Sequence, residues 1–140
     1  MITDNLEVAI RRTYVSLAFW DLIDSAGIGG PFNGACLVCA EALRLAIGEG
    51  DIVRIEEPST GVTHHYGLRT GGTIYDFDGA CDSFSWIQRF ARNENLEDRE
   101  LKVVTGICDS SSITEDECLS KRLSILLIKQ MPESEMRLAS

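Results

Sequence analysis

The stretch Asn33-Gly34-Ala35-Cys36-Leu37-Val38-Cys39-Ala40-Glu41-Ala42-Leu43 leads, some twenty residues on, to His64-His65-Tyr66-Gly67-Leu68-Arg69-Thr70-Gly71-Gly72-Thr73-Ile74-Tyr75-Asp76-Phe77-Asp78-Gly79. The first part predicts a helix over 35–47. Only Cys36, Cys39, Glu41 and Arg44 interrupt its apolar residues, so it belongs in a core, and Gly48 and Gly50 end it. The second part predicts a hairpin. Gly71-Gly72 is a two-residue turn between strand-like runs. Opposed residues then have numbers that sum to 143, so Arg69 faces Ile74, Gly67 faces Asp76 and His65 faces Asp78. Alternation puts these six on one face and Tyr66, Leu68, Tyr75 and Phe77 on the other, with His64 pointing away from His65. A slip of one residue exchanges the two histidines.

These side chains belong to one kind of chemistry. A helix start carries partial positive charge and unpaired N–H groups, so it favours a thiolate at Cys36 and offers donors to an oxyanion. Gly34 permits a tight turn before the sulfur, and Asn33 is a further oxyanion candidate. An imidazole at His65 is suited to take the thiol proton and return it to a leaving group. Opposed strand residues lie about 5 Å apart and diagonal ones about 7–8 Å. Either Asp78 or Asp76 is therefore placed to hold the ring, and Gly67 leaves room beside it for the sulfur or a substrate. Together Cys36, His65 and an aspartate predict nucleophilic catalysis through a covalent thioester-type intermediate.

The ordered elements resemble the papain-like fold, and more closely a group of small bacterial and phage papain-like proteins. The motifs that carry the resemblance are Asn33-Gly34-Ala35-Cys36, His65, Gly71-Gly72 and Tyr75-Asp76-Phe77-Asp78-Gly79, within residues 33 to 92. The resemblance implies an α+β fold with N-terminal helices on a small antiparallel sheet and further helices after it. Chain length predicts a single domain, placed over 1–131, and the resemblance implies that it is papain-like with a catalytic Cys–His–Asp order. The expected activity is that of a cysteine hydrolase or transferase of peptidase, isopeptidase, deamidase or amidase type, with a protein or peptide substrate and no cofactor. Papain itself has a Gln before the cysteine as an oxyanion donor, and no Gln precedes Cys36 here.

Other readings compete with this one. Cys36-x-x-Cys39 with His64-His65 offers four zinc-type ligands, although Cys36 and Cys39 lack a glycine knuckle. Cys39 alone reads as a core thiol, or as a partner to Cys36 in a disulfide. A catalytically silent papain-like module that binds a partner, or an acidic inhibitor, fits the net charge of −9. That charge argues against nucleic acid, because phosphate contacts need clustered Lys and Arg.

The 140 residues suffice for a core without staples. Five cysteines and acidic residues at Asp4, Glu7, Asp21 and Asp24 predict free thiols in a reducing cytosol rather than a secreted protein. No apolar run approaches the ~20 residues that span a membrane.

Around the central stretch, residues 4–26 predict one amphipathic helix, with an Asp4–Glu7 capping pattern and an end at Gly27-Ile28-Gly29-Gly30-Pro31. The glycine run is a rim beside Cys36 and not a phosphate loop, for it lacks the Gly-Lys-Ser/Thr ending. Residues 51–56 predict a strand with Val53 and Ile55 inward, and Pro58-Ser59-Thr60-Gly61 a turn. Asp82 is expected to cap a helix to Asn93, buried through Phe84, Ile87, Phe90 and Ala91 and flanked by Trp86. Residues 93–100 read as a charged loop and 101–107 as a strand. Thr114 to Glu117 forms a capping box for a last helix to Gln130 with Leu119, Leu123, Leu126 and Leu127 inward. Residues 132–140 read as a mobile polar tail.

Overall fold

A computed structural model describes residues 2–31, 34–108 and 116–132, with the backbone alone at residues 2–4. Among the described residues it is an α+β fold of five helices and five strands. The helices are α1 (Ile2–Tyr14), α2 (Leu17–Ala26), α3 (Cys36–Ile47), α4 (Ser83–Asn93) and α5 (Glu117–Gln130). The strands are β1 (Asp51–Glu57), β2 (Val62–Thr70), β3 (Thr73–Asp76), β4 (Gly79–Cys81) and β5 (Lys102–Thr105). They form one antiparallel sheet in the order β4-β3-β2-β1-β5.

The sheet is covered on both faces. Ile52, Tyr66, Leu68, Tyr75 and Phe77 pack against α1, α2, α3 and α5. Val53, Ile55 and Ile74 pack against Trp86 and Phe90 of α4. Val53 and Ile55 are both fully buried, as their alternation predicts. The greasy helix runs where its composition places it, with Leu37, Val38 and Leu43 buried and Gly48 capping it in the left-handed conformation. Each such side chain contributes about 1.5–3 kcal/mol. The buried Ser120 of α5 donates to the Val38 carbonyl (3.1 Å) and ties α5 to the first turns of α3.

The hairpin register follows the glycine turn: Thr70 pairs with Thr73, Arg69 with Ile74 and Leu68 with Tyr75. It does not extend to Asp78. The chain reverses again through Phe77-Asp78, pairing Asp76 with Gly79 and adding β4, which the sequence does not announce. An Asx turn drives this reversal, because Asp76 Oδ1 accepts the Asp78 N–H at 2.8 Å. Phe77 anchors the turn by stacking on Phe19 (centroids 5.0 Å apart).

A second irregularity falls at the histidines. β1 and β2 pair Ile55 with His65 but Glu56 with Thr63, so His64 is the extra residue of a bulge. Its expected orientation away from His65 is not met. Both imidazoles lie by Phe90, with centroids 6.3 Å and 5.0 Å from its ring.

The expected helix over 4–26 is two. Ser16 adopts an extended conformation, its hydroxyl accepts the Phe19 N–H (3.2 Å) and donates to the Thr13 carbonyl (2.7 Å), and α2 starts anew. On α4, Asp82 is the cap, accepting the Ser85 N–H at 2.8 Å. The buried stripe differs from expectation: Phe84 is 70% exposed, and Trp86 is fully buried in its place. The last helix is capped by Asp116, which accepts the Leu119 N–H at 3.0 Å. Thr114, Asn33, the Asp4 side chain and residues 133–140 lie outside the described residues, and the expectations placed on them with them.

Candidate active site

A dense polar cluster is built on Asp76. β3 ends at this residue, and its carboxylate is buried between β2 and α4. It accepts four hydrogen bonds. His65 Nε2 (2.9 Å) and Trp86 Nε1 (2.8 Å) meet Oδ2, while the Asp78 N–H (2.8 Å) and an Arg89 guanidinium nitrogen (2.8 Å) meet Oδ1. Burial favours the neutral acid, but His65, Arg89 and Trp86 outweigh it and hold the carboxyl below its ordinary range.

His65 is 1% exposed, stacked on Phe90 and tilted against Trp86. Burial pulls its basicity down. The hydrogen bond and charge of Asp76, together with a hydrogen bond that His65 donates to Cys36, outweigh burial and raise it to about 9. With Nε2 committed to Asp76, Nδ1 is the nitrogen left for the Cys36 sulfur. β3 is registered against Leu68–Thr70 only, so His65 lies beyond the paired part of β2 on that side, where the start of α3 meets it.

Cys36 is the first residue of α3, 2% exposed. Helix geometry gives the N–H groups of Cys36, Leu37 and Val38 no acceptor within the helix, and Ala35 at the cap has no side-chain oxygen to offer them. Gly34 has φ +116, and a Cβ there would run into the Ile28 carbonyl oxygen. Only glycine fits, and the Ala35 N–H bond to the Gly30 carbonyl (3.0 Å) completes the entry to the helix. The glycine run thus lies against the residues that present Cys36. Cys39, one turn on, is a buried thiol whose pKa is pushed well up by burial first and by Cys36 and Asp76 next.

Of the residues singled out in the sequence, Cys36, His65 and Asp76 come together. Asp78 does not reach the ring: its carboxylate meets Arg89 Nε at 2.9 Å and is 42% exposed. Gly67 leaves room, but for the Trp86 indole, which a Cβ there would approach to 2.7 Å. His64 belongs to a separate cluster, with Nε2 3.0 Å from Glu57 Oε1 and Arg99 3.2 Å from the same oxygen. Among the described residues, no three His, Cys, Asp or Glu side chains are grouped to hold a metal ion. Trp86, which the sequence reads as flanking the buried side of its helix or as a cleft wall, proves also to be a donor to Asp76, and Arg89 is a second donor that the sequence reading does not single out. The signal was present, since 86, 89, 90 and 93 share one face of a helix capped at Asp82. Comparison with known proteins found no matching family model, no matching curated protein and no matching solved structure.

Proposed function

We propose that the protein is a cysteine-dependent hydrolase or acyl transferase of papain-like fold. In this reading Cys36 is the nucleophile, His65 the general base and acid, and Asp76 the residue that orients the ring. One observation carries it: a buried imidazole held between a carboxylate at 2.9 Å and a thiol at a helix start. An imidazolium beside the sulfur favours the thiolate. The sulfur attacks a carbonyl carbon, and first-turn N–H groups of α3 receive the oxyanion. His65 gives its proton to the departing amine or alcohol as the carbon–nitrogen or carbon–oxygen bond breaks. Water or another acceptor then attacks the thioester, giving up its proton to His65 and releasing Cys36. Peptide, isopeptide and side-chain amide bonds all suit this machinery, and a protein or peptide is the proposed substrate.

Iodoacetamide labelling at pH 6, resolved by peptide mass, tests the reading. Exposure alone ranks Cys118 first, since it is exposed, Cys81 and Cys108 are partly buried, and Cys36 is buried. Activation reverses that order, with Cys36 labelled first and slowed by His65→Ala. Labelling in order of exposure, with His65→Ala without effect, sinks the proposal.

The burial of Cys36 and His65 favours a second reading, a silent papain-like module that acts by binding a partner. It predicts that Cys36→Ala keeps the biological effect that an enzyme would lose.

A further inference from the structure

Asp76 is a buried carboxylate, and the proposed nucleophile is a buried sulfur. If both are ionised, His65 alone balances only one of them. Uncompensated buried charge is costly, and the weaker acid is the one that yields. The second positive charge is at hand. Arg89, one turn after Trp86 on α4, places one guanidinium nitrogen 2.8 Å from Asp76 Oδ1 and Nε 2.9 Å from Asp78 Oδ2. Its side chain is 23% exposed, at the wall of a cleft of about 180 Å³ that Asp76, Asp78, Phe90, Asn93 and Glu94 also line.

We propose that Arg89 is a positioning residue of the Cys36–His65–Asp76 site, whose charge on Asp76 lets thiolate and carboxylate be ionised together around one imidazolium. The inference rests on the proposed catalytic reading and deepens it. Sulfur, carboxylate, imidazolium and guanidinium sum to zero. Of the remaining groups facing the cluster, Asp78 shares the same guanidinium and Glu94 lines the cleft, and both bring their negative charge from the solvent side. Cys39 of α3 is held neutral by burial, and Cys81 at the end of β4 is likewise raised, by burial first. Trp86 is neutral, and Asp78 is solvated on the turn. Glu94, at the cap of α4, lines the same cleft on its outer side. Geometry adds to charge. Arg89 and the Asp78 N–H fix Oδ1, so Oδ2 stays aimed at His65. The guanidinium fork spans both aspartates, which a point charge does not.

The test is the pH dependence of Cys36 alkylation in the full chain, with folding checked by circular dichroism. Arg89→Gln keeps a donor to Asp76 and removes the charge. It is expected to slow Cys36 about tenfold at pH 6 and to move the rate profile up by about one pH unit, which is the same change. Arg89→Lys is expected to restore most of the rate. Asp78→Asn alters only the exposed partner of Arg89 and leaves its charge to Asp76. It is expected to speed Cys36 about twofold at pH 6. A wild-type profile in folded Arg89→Gln overturns the inference, as does equal slowing by Lys and Gln. Should Arg89→Gln not fold, Asp78→Asn decides, and an unchanged or slower rate there overturns it. Cys36 labelling no faster than Cys118 in the unaltered protein instead defeats the catalytic reading beneath it.

Discussion

Two neighbouring residues of β2 each pair with a carboxylate, and the two pairs differ in almost every consequence. His65 and Asp76 are buried, backed by Trp86 and Arg89, and joined to Cys36. His64 and Glu57 form a contact of nearly the same length, 3.0 Å, braced by Arg99 and Ser59 on the β1–β2 hairpin; Glu57 is as buried as Asp76, but His64 and Arg99 reach solvent. The His64 bond holds the Glu57 carboxyl below its usual range, against the opposing pull of burial. One pair has a thiol beside a fully buried imidazole; the other has a partly exposed imidazole and clamps a hairpin to the loop that carries Arg99. An imidazole–carboxylate contact is therefore no function by itself. The third partner and the loss of water decide what it does.

The widest separation between the two pairs is expected in thiol reactivity. His65→Ala should slow Cys36 alkylation at pH 6 by about 100-fold or more, the usual reach of a positioned general base. His64→Ala should change it less than about twofold by the same assay. Equal effects would erase the distinction.

Stability comes next. Asp76→Ala strands three side-chain donors, one a buried imidazolium, and should cost about 3–5 kcal/mol in urea unfolding. Glu57→Ala should lower the midpoint less, because the donors it strands, His64 and Arg99, are partly exposed and reach water.

The pH dependence of stability separates the pairs further. Folded His65 holds its proton more firmly than the unfolded chain does. Its contribution, about 3 kcal/mol, is complete below pH 6.5 and is lost as pH rises through about 9. Asp76 has the opposite sense: its contribution is present above the ordinary carboxylate range near 4 and is lost as pH falls through its lowered folded value. Denaturant melts from pH 6 to 9.5 should show a decline that His65→Ala removes and His64→Ala keeps. A flat wild-type profile would refute the charged pair.

The smallest effect lies in packing. Gly67→Ala drives a methyl into the Trp86 indole and should cost about 1–3 kcal/mol while loosening the Trp86–Asp76 bond. Gly72→Ala meets nothing within 4 Å and should be near neutral in the same melt. If the two melt alike, the indole is not held as described.

The helix over 36–47 and the Gly71-Gly72 register were legible in the chain because they are local. An apolar run with a glycine stop, and a two-residue turn between alternating strands, each fix their geometry within a few residues. Cys36, Gly34 and the His65 strand followed from the same signals. The bulge at His64 and the reversal after Asp76 were not legible. Each trades one good local pattern for a hydrogen bond or a packing contact elsewhere: His64 to Glu57, Phe77 to Phe19. Residue order alone assigns the thiol to the start of α3 and the imidazole to the strand before the glycine turn. The fold in three dimensions sets that Asp76 rather than Asp78 meets the imidazole, that Trp86 fills the space at Gly67, and that Arg89 pairs with Asp76. The reason is that burial and charge neutrality are properties of a filled volume. Three elements far apart in the chain must enclose it before any one carboxylate is chosen.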